Sequence, residues 1–206
     1  MKKIKDFLNK ITFATPTLAS EIILNTSIKN GYILFVGMHG LAEYISNERY
    51  RKSFDEANIV FCDSVLIQFL NILKSKKVVP RSPGPDVTNL LVKSFQFTNI
   101  KVTFFGGKKG LLKNLNNKNM DQIVPGLIEE SKISTNHIEL QKLKNNKSRY
   151  IFIGLGCPKQ EIISNKITSE MKNSILIPVG AALNFVSKDE KRAPLLVRLI
   201  NLEFLW

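Results

Sequence analysis

Apolar residues along this chain fall into short dense runs separated by amphipathic stretches. The runs at 32–36, 58–62, 101–105, 150–153 and 174–178 are rich in Ile, Val and Phe, as strands buried on both faces should be. Helical spacing of apolar positions occupies 17–29, 41–57, 64–74, 86–95, 109–117, 121–132 and 158–172. Strands alternating with helices at this spacing predict an α/β fold: a Rossmann-like, doubly wound, mainly parallel sheet with helices on both faces. In such sheets ligands sit over the carboxyl ends of the strands. The polar stretches 114–119 and 141–149 are expected to be loops. Residues 191–206 are different: Leu, Val, Ile, Phe and Trp crowd a helical pattern whose polar points are Arg192, Arg198 and Glu203. The expected division is a Rossmann-like domain over 1–190 and the beginning of a C-terminal helical appendage over 191–206. The abrupt end on Trp206 points to a longer native protein. The appendage suits either packing against the sheet or a flap that faces a membrane. Left uncovered, it hints at a homo-oligomer.

Composition narrows the class. A chain of 206 residues, 44% hydrophobic and without low-complexity tracts, can bury one sizeable core. Its two cysteines, Cys62 and Cys157, give neither a disulfide framework nor a metal spacing and read as reduced thiols. Lys5, Asp6 and Lys10 interrupt any apolar leader, so no secretory signal is expected. The longest uncharged apolar run, 173–187, is too short and glycine-rich to span a bilayer. The net charge of +13 is gathered in patches around Lys74–Arg81, Lys101–Lys118 and Lys142–Arg149. Such a surface attracts nucleic acid, an acidic membrane or a phosphorylated substrate; it is equally consistent with a solvated lysine-rich surface.

Several strand ends carry candidate chemistry. The run Ile153-Gly154-Leu155-Gly156-Cys157-Pro158-Lys159-Gln160-Glu161 reads as a strand, a glycine turn and a helix with Pro158 at its first position. Such a junction can aim free backbone N–H groups and a helix dipole at an anion; it is also the ordinary turn of any α/β protein. Asp63 ends a strand, where it could act as a general base or cap the next helix. Arg81-Ser82-Pro83-Gly84-Pro85-Asp86 is a rigid turn that offers Arg81 for bidentate recognition of phosphate and Asp86 as a cap, although Arg81 could equally be a plain surface residue. Gly106-Gly107 follows another strand but lacks the Walker and dinucleotide fingerprints. His39 and His137 stand alone, so no metal site is expected. Cys157 has no histidine near it in sequence and is a poor candidate nucleophile.

Taken in order, Phe61-Cys62-Asp63-Ser64, the Arg81–Asp86 turn, Phe104-Phe105-Gly106-Gly107, Gly154 through Pro158-Lys159-Gln160-Glu161, Val179-Gly180-Ala181-Ala182, Lys191-Arg192-Ala193-Pro194 and Leu202-Glu203-Phe204-Leu205-Trp206 resemble the WecG/TagA/CpsF family of bacterial glycosyltransferases over nearly the whole chain. The resemblance implies inverting transfer of an N-acetylmannosamine-type sugar from a UDP donor, without a metal or other cofactor. The implied acceptor is a lipid-linked sugar on undecaprenyl diphosphate, in cell-surface polysaccharide or teichoic acid synthesis. It implies a cytoplasmic enzyme, peripheral on the inner, anionic face of the cell membrane, with no nucleic-acid partner. Carried over by motif, Asp63 is the catalytic base. Arg81, Gly106, Gly107, Gly154, Gly156, Lys159 and Gln160 bind substrate, and Arg192 and Arg198 of the appendage engage diphosphate and membrane. Three departures stand out. Phe35-Val36-Gly37 replaces a Thr-x-Asn pattern, Asn184 stands where an acid is usual, and 133–144 is shortened. They leave room for a catalytically idle relative that binds a nucleotide-sugar or lipid-linked sugar as a scaffold.

Overall fold

The computed structural model describes residues 2–114, 117–126 and 138–186. Seven strands, β1 (Ile11–Thr12), β2 (Gly31–Val36), β3 (Ile59–Cys62), β4 (Val102–Gly106), β5 (Met120–Ile123), β6 (Tyr150–Gly154) and β7 (Ile175–Pro178), form one sheet in the order β1-β3-β2-β7-β6-β4-β5. Every neighbouring pair is parallel. The sheet and its flanking helices are the α/β arrangement expected, although the strand order differs from that of the dinucleotide-binding fold.

Strand residues alternate between two cores, as the period of a strand requires. Tyr32, Leu34 and Val36 join one cluster, to which α1 (Lys2–Lys10), α3 (Met38–Ser46), α4 (Glu48–Asp55), α7 (Ile138–Asn145) and α8 (Lys159–Thr168) contribute. Ile33 and Phe35 join the other, built with α2 (Pro16–Leu24) and α6 (Gly84–Phe95). Stacked rings fill both: Phe7 on Phe54 at 4.6 Å in the first, Phe104 on Phe152 at 5.4 Å in the second. Each such fully buried side chain contributes about 1.5–3 kcal/mol relative to exposure, and side chains from both halves of the chain interlock on each face. The carboxyl ends of β3, β2, β7 and β6 therefore stand side by side.

Several elements depart from the sequence pattern. The helix expected over 41–57 is two, because Asn47 ends α3 and its side chain accepts the Tyr50 N–H to start α4. The helix over 17–29 stops at Leu24, and the described residues of 109–117 form a short 3-10 turn, Leu111–Asn114, in place of an α-helix. Residues 121–123, expected in a helix, belong to edge strand β5. The expected loop at 141–149 is largely helix α7. Strand β1 and helix α1 were not expected at all. Pro158 is the N-cap of α8 rather than its first residue. The appendage, with Arg192 and Arg198, lies outside the described residues, as does His137.

Candidate active site

A cavity of about 220 Å³ opens over the carboxyl ends of β3, β2, β7 and β6. Its wall takes Asp63 from the end of β3, Phe35 and Gly37 from the end of β2, His39 from the start of α3, and Gly84 from the start of α6. Gly156, Cys157, Gln160 and Glu161 come from the β6–α8 junction, and Gly180 from the end of β7. The sheet register brings the strand-end residues together, while His39, Gly84, Gln160 and Glu161 stand on the first turns of helices around them.

Asp63 continues β3 by one residue: its N–H donates to the Val36 carbonyl at 3.0 Å. Helix α5 (Val65–Ser75) is capped by Ser64, whose Oγ accepts the Leu66 N–H at 3.2 Å. The capping use of Asp63 is thereby taken by its neighbour, and its half-buried carboxylate lines the cavity. Gly84 at the start of α6 packs beside Asp63: a Cβ there would be in ordinary contact, 3.5 Å from Asp63 Oδ2. Asp86 does not cap α6 either; Pro83 is the N-cap and Asp86 lies in the first turn, where a negative charge is favourable.

Arg81 is half-buried and acts from behind. Its Nη1 donates to the Asp63 carbonyl at 3.1 Å. Next to it the Ser82 N–H donates to the Cys62 carbonyl and Ser82 Oγ to the Ala14 carbonyl, both at 2.7 Å. The rigid turn is thus stitched to the tip of β3, and Arg81 stands beside the cavity without lining it.

At the β6–α8 junction the expected cradle is already occupied. The Gly156 N–H donates to Gln160 Oε1 at 3.2 Å, and the Gly180 N–H donates to the same oxygen at 3.0 Å. Gln160, 5% exposed, ties the two turns together, and its Nε2 donates to Glu161 Oε1 at 3.0 Å. Lys159 opens α8 half-buried and outside the lining. Of the candidate glycines only Gly156 faces the cavity. Gly106 and Gly107 form a turn whose Gly106 and Lys108 carbonyls accept from Gln122 Nε2. Gly154 gives way to Leu183, which a Cβ there would approach to 2.6 Å.

Four wall residues went unassigned in the motifs. Glu161 is 3% exposed, and burial pushes its carboxyl above the usual range against the opposing pull of the Gln160 hydrogen bond and the His39 charge. Burial likewise raises the Cys157 thiol, with the Glu161 charge adding to it, so this sulfur is no thiolate nucleophile. Tyr50, 1% exposed, has its phenol raised by burial and then by Glu161. His39 Nε2 lies 3.5 Å from Glu43 Oε1. The position of Glu161 directly after Gln160 was the available signal for it; nothing local marked Tyr50. Among the described residues no three His, Cys, Asp or Glu side chains converge as metal ligands, and no helix is long and apolar enough to cross a membrane.

A parallel α/β sheet with a small polar cavity at its strand ends, one wall carrying a carboxylate and another a buried acid, has the layout of an enzyme for a small polar substrate. Residues 9–206 match the model of the glycosyl transferase WecG/TagA/CpsF family, and the chain belongs to that family. It is 20% identical over 205 residues to the N-acetylglucosaminyldiphosphoundecaprenol N-acetyl-beta-D-mannosaminyltransferase of Staphylococcus aureus (strain NCTC 8325 / PS 47), covering 98% of this chain and 80% of that one. It is 25% identical over 210 residues to the protein of the same name from Bacillus spizizenii (strain ATCC 23059 / NRRL B-14472 / W23), covering 97% of this chain and 80% of that one. At these identities it is a divergent member.

Proposed function

We propose that the chain is an inverting glycosyltransferase that moves an N-acetylmannosamine-type sugar from a UDP donor to a sugar linked to undecaprenyl diphosphate. It would work at the inner face of the cell membrane. The observation that carries this reading is the Asp63 carboxylate, released from helix capping by Ser64 and set in the wall of a polar cavity, in a chain of this family. An acceptor hydroxyl attacks the anomeric carbon from the face opposite UDP. Asp63 takes the hydroxyl proton as the new bond forms, and the old bond's electron pair leaves with the UDP phosphate. Arg81 holds the Asp63 backbone in place through its 3.1 Å bond, and Arg192 and Arg198 would meet the charge that develops on the leaving diphosphate.

The test is turnover of UDP-N-acetylmannosamine with a short-chain analogue of the lipid-linked acceptor. Asp63→Asn should lower kcat about 10²–10⁴-fold with an unchanged melting temperature. Full activity in that variant would remove Asp63 from the mechanism. A second reading, a relative that binds the nucleotide-sugar and transfers nothing, is favoured by one observation: Phe35 and Gly37 line the cavity where the family's polar pair would stand. UDP-sugar binding without transfer to any acceptor would select it.

A further inference from the structure

Glu161 is a buried acid in the cavity wall whose hydrogen bonding is only half complete. Its Oε1 accepts from Gln160 Nε2 at 3.0 Å. Its Oε2 is shielded from solvent and meets no nitrogen or oxygen donor within hydrogen-bond geometry among the described residues; besides Gln160 the carboxyl is near only the weak Cys157 thiol donor and its own backbone N–H. The amide oxygen of Gln160 is turned the other way, accepting from Gly156 and Gly180, and the one bond its nitrogen makes to Glu161 goes to Oε1. A buried polar atom left without a partner is costly and rare in a native fold, and at the wall of a cavity the missing partner can be a ligand.

We propose, on the basis of the glycosyltransferase reading, that Glu161 binds the transferred sugar directly, its Oε2 donating a hydrogen bond to a hydroxyl or acyl oxygen of that sugar. Such donation requires the neutral acid, and the surroundings favour it. His39 and Glu43 on α3, Tyr50 on α4, Cys157 in the turn before α8 and Asp63 across the cavity are the ionisable groups around it. The His39 charge and the Cys157 thiol favour the carboxylate only weakly against the dominant effect of burial. The terminal torsion of a glutamate is broad, so the contact needs only that the carboxyl turn Oε2 towards the cavity that Glu161 lines. Size assigns the ligand half. Sites for drug-sized ligands run to roughly 300–1,000 Å³, whereas this cavity holds about 220 Å³, room for a sugar ring but not for a whole nucleoside diphosphate. The proposal accordingly seats the sugar in the cavity and leaves UDP largely outside it.

Calorimetric titration of the full chain with UDP and with UDP-N-acetylmannosamine tests this. Glu161→Gln keeps a neutral donor of the same shape and should hold the affinity for the UDP-sugar within about threefold. Glu161→Met fills the space without a donor. It should lose about tenfold for the UDP-sugar and nothing for UDP, the loss of one neutral hydrogen bond. A Met variant that binds the UDP-sugar as tightly as wild type overturns the proposal and leaves the glycosyltransferase reading standing. Wild-type protein that binds neither ligand overturns both. If the Met variant does not fold, infrared difference spectra decide. A carboxylic-acid band that shifts on adding UDP-sugar but not UDP, and is missing in Glu161→Gln, supports the contact; a band indifferent to the sugar refutes it.

Discussion

Gln160 and Glu161 are neighbours in sequence with opposite assignments. The amide is consumed inside the protein, joining the ends of β6 and β7 through two backbone N–H groups, whereas the acid is left with an open oxygen. Sequence alone points to this pair through the Pro-Lys-Gln-Glu motif, but which of the two faces a ligand depends on how α8 packs, and that is not local information. The burial of Glu161 also sets a pH dependence. Its carboxyl is raised in the folded chain, whereas in the unfolded chain it returns to its ordinary value of 4.5. Below that pH both states hold the proton and the group costs nothing. Above it the unfolded chain releases the proton while the folded one keeps it, so stability falls with rising pH until the folded group ionises too. Glu161→Gln removes this term. Its melting temperature should gain on wild type progressively as pH rises from 4.5, measured by parallel thermal melts. A difference that stays flat with pH would mean that the acid is ionised in the folded chain.

At the scale of elements, the glycines that follow β4 and β6 look alike in sequence and do different work. Gly106 has φ +102°, and a Cβ there would lie 2.5 Å from the Gly154 carbonyl oxygen of the neighbouring strand. Gly156 has φ +79°, but a Cβ there would meet open space. Gly156→Ala should therefore cost only the left-handed backbone term, about 1–2 kcal/mol, a fall of about 2–8 °C in melting temperature at this size. Gly106→Ala should cost about 4 kcal/mol or more because two strands must part. Thermal melts of the two variants check the ranking, and equal losses would refute it. The elements legible beforehand are those whose residues are all buried, such as β2 and β4, where apolar residues dominate the pattern. Strand β5 was hidden because it sits at the sheet edge with only Met120 buried, so its polar Asp121 and Gln122 mimic a helix face. The break at Asn47 was hidden because apolar spacing carries on across it, and one side chain makes the difference. Asp63 was legible as a strand-end acid, yet its release from capping rests on Ser64 forming the bond instead. Tyr50 and His39 reach the cavity from α4 and α3, brought there by the packing of α4 on α8 and of α3 on α4 and by no motif of their own.

At the scale of the whole molecule, a net charge of +13 bears on the proposed lipid-linked acceptor. Helix α5 starts beside Asp63 and leaves Leu66, Phe69 and Leu73 exposed along one face. At its far end Leu70 and Leu73 share an apolar hollow with Ile4 and Leu8 that Lys5 and Lys74 flank. Lys76 and Lys77 follow at once. Near an anionic bilayer each such lysine contributes about 1 kcal/mol, and apolar side chains between them add burial at the interface. Salt separates the two contributions. The Debye length falls from about 10 Å at 0.1 M to about 3 Å at 1 M, which removes charge attraction and leaves apolar burial intact. The chain should co-sediment with phosphatidylglycerol vesicles at about 0.1 M salt, stay in solution with phosphatidylcholine vesicles, and come off the anionic ones at about 1 M. Retention at high salt would make the apolar face of α5 the main anchor. Failure to bind at low salt would make the lysines an ordinary solvated surface and remove charge as a reason to place the proposed reaction at a membrane.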